Sequence, residues 1–194
     1  MTIGVVGGVG AGKSTVLDLL KSNYGCEIIK TDDVAKAFYV PGNLVFEELK
    51  KLLGEDIQKG NGMVDLAAIG KKLYGDESGK LREQVNAIVH PAVWKCVGDM
   101  IRDKKGISVV ETAIPSDTFA EMCDEIWFVY TREDVRVKRL METRGYTEKR
   151  AHDMIHSQIS DDAYKEMASF VVDNSGTRKE TTDAVIRHME LKRL

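Results

Sequence analysis

The sequence predicts an α/β fold, a three-layer domain in which about five parallel strands lie between helices. Two observations predict it. Short apolar, β-branched runs alternate along the chain with longer helical patterns, and several of these runs are apolar at consecutive positions. Consecutive apolar residues are typical of strands that are buried on both faces of a parallel sheet. The predicted strands are Ile3–Val6, Glu27–Lys30, Ile107–Glu111, Ile126–Tyr130 and Phe170–Asp173.

The helical patterns between these strands have recognisable starts. The segments Thr131–Asp134 and Thr177–Glu180 both resemble capping boxes, in which a threonine and an acid three residues later satisfy the first amides of a helix. Strands that alternate with helices are joined by right-handed crossovers, and ligands then bind at the carboxyl ends of the strands. We therefore expect the functional residues at that edge of the sheet.

A long interval without a convincing strand separates the second and third predicted strands. It contains three predicted helices, and it indicates a helical lobe at about 41–103, inserted into a core of 1–40 and 104–194 within one domain of 194 residues. Such a lobe is compatible with acceptor binding, with packing or with an interaction surface. The helices are Leu44–Leu53, Leu66–Tyr74 and Lys80–Arg102.

A glycine-rich segment, G-x-x-x-x-G-K-S, follows the first predicted strand and precedes a helical pattern. Its glycines allow the backbone N–H groups to surround a phosphate chain, and the helix N-terminus adds its positive dipole. Lys13 is expected to reach the β- and γ-phosphates, and the Ser14 hydroxyl to bind Mg²⁺. The motif predicts a P-loop NTPase whose phosphate-binding residues are Gly8, Gly10, Ala11, Gly12, Lys13, Ser14 and Thr15.

Carboxylates follow two other predicted strands. Glu111 ends the third strand, where an acid in P-loop proteins holds Mg²⁺ or its water shell; the alternative is a solvated acid. Asp32 and Asp33 follow the second strand, where a carboxylate can accept a hydroxyl proton and orient the oxygen towards phosphorus. The alternative for this pair is helix capping and compensation of the helix dipole, and one aspartate could cap while the other acts.

Arginines are concentrated after the fourth predicted strand. Arg132, Arg136 and Arg139 share one helix face, and Arg144 and Arg150 follow. Phosphoryl transfer needs cations because its transition state spreads negative charge over the phosphoryl oxygens, and a mobile arginine-bearing segment also excludes water. Acidic residues are interspersed, which is typical of a solvated face. Arg139 and Arg144 are predicted to act on the nucleotide, and the other arginines to lie on the surface.

Composition limits the classes of partner. The net charge of −3 gives no overall positive field for nucleic acid or anionic membranes. The three cysteines form no C-x-x-C pair, so neither a zinc cluster nor a disulfide framework is indicated. The sequence contains no apolar run of about 20 residues and no signal-peptide pattern, so a cytoplasmic location is expected.

An ordered set of segments resembles the dephospho-coenzyme A kinase family, and the similarity runs nearly end to end. Its main segments are Ile3–Thr15, Thr31–Ala35, Ala87-Ile-Val-His90-Pro91, Arg136-x-x-Arg139-Leu140 and Val172–Gly176. The set also includes Pro41-Gly42, the helix at Asp65 and Gln158.

The resemblance implies a nucleoside-monophosphate-kinase-like fold with a helical acceptor-binding lobe and an arginine-bearing lid at about 140–165. It implies ATP with Mg²⁺ as cofactors and dephospho-CoA as the acceptor, which is phosphorylated on the ribose 3′-hydroxyl. Asp32 would be the base or positioning group, and Lys13 and Arg139 the other catalytic residues. Arg139 and the loop after Asn174 would lie near the nucleotide base or phosphates, and His90 on the acceptor side. The protein is expected to be a monomer or weak homo-oligomer.

The sequence departs from the family pattern at two places near the acceptor. Lys30 stands where the family has a first aspartate, and the segment Glu111–Asp117 replaces one that usually reads D-x-P-L-L-F-E. Two alternatives are therefore retained. One is a related P-loop kinase for a nucleoside monophosphate or another small alcohol, and the other is a non-catalytic nucleotide-binding regulatory homologue.

Overall fold

The computed structural model describes residues 1–76 and 78–192. Internal contacts divide the chain into two compact units. Unit 1 comprises Met1–Ile29 and Lys104–Leu194, and unit 2 comprises Lys30–Asp103. The boundary thus assigns residues 30–40 to the helical unit, whereas the sequence grouped them with the core.

A five-stranded sheet has the order β2-β3-β1-β4-β5. The central strand β1 pairs in parallel with β3 and β4, and β4 pairs in parallel with β5. The predicted fold class is confirmed, and each predicted strand matches an observed one to within a residue at either end. The strands are β1 (Thr2–Val6), β2 (Glu27–Lys30), β3 (Ser108–Glu111), β4 (Glu125–Tyr130) and β5 (Phe170–Asp173).

Helices connect these strands along the chain, and a short 3₁₀ turn spans Glu55–Ile57. In chain order the helices are α1 (Lys13–Tyr24), α2 (Thr31–Ala37), α3 (Leu44–Leu53), α4 (Leu66–Gly75), α5 (Lys80–Ile101), α6 (Asp117–Met122), α7 (Glu133–Arg144), α8 (Glu148–His156), α9 (Asp161–Met167) and α10 (Arg178–Leu191).

The core of unit 1 lies between the sheet and the helices α1 and α10. Side chains of β1 and β4 such as Val5 and Trp127 are fully buried against Val16 and Leu20 of α1 and Val185 of α10. Burial of each large apolar side chain contributes roughly 1.5–3 kcal/mol to folding. This packing fixes the sheet, and with it the loops at the carboxyl ends of the strands.

Unit 2 contains the three helices predicted for the inserted region, α3, α4 and α5. The side chains of Asn43 and Asp65 accept hydrogen bonds from the first amides of α3 and α4, as expected for N-cap residues. Both α2 and α3 pack on α5. Within the described ranges, no helix of either unit is long and apolar enough to cross a membrane.

One of the two predicted capping boxes forms. Thr177 and Glu180 cap α10 reciprocally, which confirms that prediction. The box at Thr131 was wrong, because α7 begins at Glu133 with Arg132 as its N-cap. The Thr131 hydroxyl instead donates to the carbonyl of Ala11, 2.9 Å away, so its side chain bonds to the glycine-rich loop and does not cap α7.

Candidate active site

The glycine-rich loop joins β1 to α1, and two of its glycines are required by close neighbours. Gly12 has φ of 84°, and a Cβ there would lie 2.2 Å from Nδ2 of Asn174. A Cβ at Gly8 would lie 2.1 Å from Nη2 of Arg136. Larger residues at these positions would push away the side chains that pack behind the loop.

The start of α1 has the character of an anion site. Its N-cap Gly12 offers no capping side chain, and its first turn carries no acidic residue. By contrast, α8, α9 and α10 are capped by Thr147, Ser160 and Thr177. The first amides of a helix need acceptors, and their partial positive charge favours an anion such as phosphate.

The structure brings Lys13 and Glu111 together beside this helix end. Lys13 Nζ lies 2.8 Å from the carbonyl oxygen of Gly7 and 3.5 Å from Oε1 of Glu111. The position of Glu111 follows from the sheet, since it ends β3 directly opposite Val5 of β1. Ser14 is exposed in the first turn of α1. A hydroxyl and a carboxylate are hard oxygen ligands of the kind that Mg²⁺ prefers.

Polar side chains hold the carbonyl groups of the loop from behind. The carbonyl of Ala11 accepts hydrogen bonds from Thr131 Oγ1 at 2.9 Å, Asn174 Nδ2 at 2.8 Å and Arg139 Nη1 at 3.5 Å. The carbonyl of Val9 accepts one from Arg136 Nε at 2.9 Å. These donors come from α7 and from the ends of β4 and β5, so three elements fix one short loop.

This arrangement determines where the amides of the loop point. No cis peptide bond occurs in the described part of the chain, so each N–H points opposite to the carbonyl of the same peptide unit. Anchoring the carbonyls of Val9 and Ala11 therefore turns the N–H groups of Gly10 and Gly12 to the other side of the loop. Preorganised amides of this kind bind phosphate without a reorganisation cost.

Arg136 was predicted to lie on the surface, and this was wrong. The residue is 4% exposed, and its side chain reaches from α7 under the loop, with Nη1 3.3 Å from Oδ1 of Asp161. The mixed charges along α7 are typical of a solvated helix face. Local spacing does not reveal that a distant segment of the chain covers that face. The occurrence of Arg136 together with Arg139 in a segment that resembles the family was the sequence signal that could have identified Arg136 as a site residue.

Gln158 is a second residue whose role the sequence did not predict. Its Oε1 accepts the N–H of Val9 at 2.6 Å. The side chain of Val9 also joins a buried cluster with residues of α7 and α8, which include Leu140 and Ile155. The region predicted as a lid thus contacts the loop through both a hydrogen bond and apolar packing.

The remaining nucleotide-side candidates occupy different positions. Arg139 is half-buried and donates from Nη2 to the carbonyl oxygen of Asn174 at 2.8 Å. Asn174 is buried, and its amide bridges Ala11 and the Thr181 hydroxyl, so it supports the loop from behind. Arg144 is exposed in the last turn of α7 and takes no part in this network among the described residues.

Asp32 lies in unit 2, as the second residue of α2. It is exposed, whereas its neighbour Asp33 forms an ion pair with Lys36 at 3.2 Å. The N-cap of α2 is Lys30, so both aspartates sit in the first turn, where the helix dipole favours them. Burial, aided by the charge of Asp32, raises the pKa of Tyr39 above its ordinary value.

Comparisons with known proteins identify the family and the fold of the chain. The family model for dephospho-CoA kinase matches residues 1–180. A dephospho-CoA kinase of Geobacillus kaustophilus is 33% identical, over 93% of this chain and 91% of its own length. A crystal structure from Thermus thermophilus matches with a TM-score of 0.82 and 22% identity, covering 100% of this chain and 98% of the other. A dephospho-CoA kinase of Campylobacter jejuni matches with a TM-score of 0.71 and 16% identity, covering 97% and 95%.

The two structural matches share the fold, and the sequence matches extend over nearly the whole chain. The sequence matches confirm the family that the ordered motifs predicted, and with it the classification as a P-loop kinase. The chain belongs to the dephospho-CoA kinase family.

Proposed function

We propose that this chain transfers the γ-phosphoryl group of ATP to the ribose 3′-hydroxyl of dephospho-CoA, giving coenzyme A and ADP. The observation that carries the proposal is the loop between β1 and α1, whose carbonyls are held by Arg136, Asn174 and Thr131. A loop fixed in this way presents amides to a triphosphate. The identity of the acceptor, dephospho-CoA, is inferred from the family to which the chain belongs.

On the nucleotide side, residues Gly8 to Thr15 bind the phosphates, and Lys13 neutralises the β- and γ-phosphate charge as the transition state forms. The 3.5 Å approach of Lys13 Nζ to Glu111 supports a position for Glu111 beside the γ-phosphate. Mg²⁺ supplies further charge neutralisation and would be held by Ser14 and Glu111.

Arginines complete the nucleotide side of this proposal. Arg139 lies next to Ala11 and Asn174 and is partly open to solvent, which suits contact with the nucleotide. Arg144 would contribute from the end of α7 when the lid, at about 140–165, closes and excludes water. Asn174 would act through the loop that it supports.

On the acceptor side, Asp32 accepts the proton of the 3′-hydroxyl or orients its oxygen for in-line attack on the γ-phosphorus. Exposure of Asp32 leaves it accessible to a substrate, whereas Asp33 is paired with Lys36. The helical lobe that follows would bind the rest of dephospho-CoA. We further propose that the protein works in the cytoplasm as a monomer or weak homo-oligomer.

The acceptor is tested by measuring ADP release with a coupled assay. Dephospho-CoA should support turnover at least 100-fold faster than AMP, CMP or shikimate. Faster turnover with one of the other acceptors would assign a different kinase activity. Binding of ATP without ADP release for any acceptor would instead indicate a nucleotide-binding protein that lacks transfer activity.

The role of Asp32 is tested by Asp32→Asn, with Asp33→Asn as the matched control. Loss of the carboxylate charge at Asp32 should lower kcat by roughly 10²–10⁴-fold, the usual range for general acid–base catalysis, and leave the Kd for ATP within about threefold. Asp33→Asn should change kcat only slightly. Equal losses of ATP affinity and turnover in Asp32→Asn would show that Asp32 is structural.

A further inference from the structure

Two histidines and a glutamate meet at exposed positions of α7 and α8. Glu133 is the first residue of α7, and His152 and His156 lie one turn apart on α8. The Oε1 atom of Glu133 is 2.7 Å from Nδ1 of His152 and 3.2 Å from Nε2 of His156. One donor atom from each of the three residues lies within 4.8 Å of the others.

The two contacts of Glu133 Oε1, a 2.7 Å hydrogen bond with His152 and a 3.2 Å contact with His156, are slightly shorter than the edges of a metal coordination sphere. Zinc–nitrogen and zinc–oxygen bonds of about 2.0–2.2 Å in a tetrahedron place neighbouring ligand atoms roughly 3.3 Å apart. A small rotation of the His152 and Glu133 side chains, which are 40% and 44% exposed, would open the 2.7 Å contact to that distance. Three protein ligands leave a fourth position for water, as in open zinc sites.

The chemistry of the ligands selects the class of ion. Imidazole nitrogens suit zinc, copper and nickel, whereas Mg²⁺ takes oxygen ligands in near-octahedral geometry. The i, i+4 spacing of His152 and His156 places both rings on one face of α8, and their centroids are 5.9 Å apart. This is the spacing with which two histidines on one helix can bind a single ion.

We propose that Glu133, His152 and His156 form a site for a divalent transition-metal ion of the Zn²⁺ class, which links the start of α7 to α8. Such a link matters because α7 carries Arg136 and Arg139, and because Ile155 of α8 packs in the same cluster as Val9 of the loop. An ion bound here would restrain α8, a helix of the proposed lid, against the helix that supports the phosphate loop.

The test is calorimetric titration of ZnCl₂ into the full, untagged, metal-stripped chain, with thermal melting as a second readout. The wild-type chain should bind one Zn²⁺ and melt at a higher temperature with Zn²⁺, and MgCl₂ should not compete. Each of His152→Gln, His156→Gln and Glu133→Gln should weaken binding roughly tenfold or more. The control is His90→Gln, a change of one of the other two histidines, which should bind Zn²⁺ like the wild type.

All three ligand side chains are at least 40% exposed, so the variants should fold and melt like the wild type when no metal is added. The visible spectrum of the Co²⁺-loaded chain provides an independent check, because four-coordinate Co²⁺ absorbs much more strongly than the hydrated ion. The proposal would be overturned by a wild-type chain that does not bind Zn²⁺ below about 1 mM. It would also be overturned by binding that survives all three substitutions or is lost in His90→Gln.

Discussion

Among the residues that the structure describes, unit 1 buries a charged side chain near each end of its sheet, and the two charges are neutralised in different ways. Arg136, near the carboxyl end, is 4% exposed and donates to the carbonyl of Val9 and to Asp161. Glu125, at the amino end of β4, is 6% exposed. It accepts hydrogen bonds from Trp127 at 2.9 Å and His188 at 3.0 Å, and it forms an ion pair with Lys192.

The two buried charges have different roles: Arg136 shapes the candidate site, whereas Glu125 stabilises the fold. Burial alone would raise the pKa of Glu125, but bonds from Lys192, His188 and Trp127 lower it to about 2. Perturbed pKa values often mark functional sites, and structural ion clusters perturb them too. Here the shifted carboxylate lies at the end of β4 opposite to the phosphate loop, whereas Arg136 acts through the geometry of a backbone carbonyl.

The largest effect is expected at the carboxyl end from Lys13→Ala. Removal of the ammonium group takes away the charge that balances the β- and γ-phosphates, so kcat/KM for ATP should fall by 10³-fold or more, a loss of about 4 kcal/mol of transition-state stabilisation. Steady-state kinetics and calorimetry with ATP would measure it. Normal ATP binding by the variant would contradict the assignment of the loop.

Arg136→Leu should have the next largest effect, and Arg132→Leu is its matched control on the same helix. Loss of the donor to Val9 frees the loop, so ATP affinity should fall by roughly 10–100-fold. The unfolding free energy should also drop by about 2–3 kcal/mol, because Asp161 loses its buried partner.

Arg132 is exposed and paired with Asp134, so its removal should change ATP affinity less than twofold. Calorimetry with ATP and urea denaturation would measure both quantities. Unchanged ATP affinity in Arg136→Leu would show that the arginine stabilises the fold without shaping the loop.

At the amino end of β4, Glu125→Gln should lower the unfolding free energy without affecting the affinity for ATP. The pKa of Glu125 is about 2 in the folded protein against 4.5 ordinarily, so its ionised form should stabilise the fold by about 3 kcal/mol at pH 7. Urea denaturation would measure this loss, and the Kd for ATP should stay within about twofold of wild type. Weakened ATP binding by Glu125→Gln would show that the buried charge at the amino end of the sheet also affects the nucleotide site.

The pH dependence of the same variant gives the sign of this effect. Because folding lowers the pKa of Glu125, its contribution is fully present above the unfolded-state value and is lost as the pH falls towards about 2. The stability difference between wild type and Glu125→Gln should therefore shrink steadily between about pH 5 and pH 2. A difference that is constant over this range would show that the ionised carboxylate is not its source.

The smallest effect is expected from Thr177→Ala, in the capping box of α10. Loss of the side-chain bond to the Glu180 amide should cost about 1 kcal/mol of unfolding free energy. Kinetic constants should not change, since the Thr177 side chain bonds with Glu180, which among the described residues takes no part in holding the loop. Chemical denaturation at neutral pH measures the loss, and Thr182→Ala, within α10, is a suitable control.

What could be predicted from the sequence was local in origin. Apolar runs predicted all five strands, and the spacing of glycines before Lys13 predicted the phosphate loop and the start of α1. Local patterns also predicted α3, α4 and α5 to within a residue. These features depend on residues that are close in the chain, so the local pattern of the sequence is sufficient to predict them.

What could not be predicted depends on distant partners. Arg136 donates to a carbonyl 127 residues away, and the Thr131 hydroxyl donates to one 120 residues away. Glu125 is paired with His188, 63 residues further along the chain. Side-chain type and spacing indicate which groups can bond, but only the fold selects among the available acceptors.

The most direct test of the central claim is phosphorus NMR of the product formed from ATP and dephospho-CoA. The wild-type protein should form a new phosphomonoester on the ribose 3′-oxygen in a one-to-one ratio with ADP, and Asp32→Asn should form it at least about 100-fold more slowly. Release of inorganic phosphate with unmodified dephospho-CoA, or a phosphate at another position, would contradict this claim.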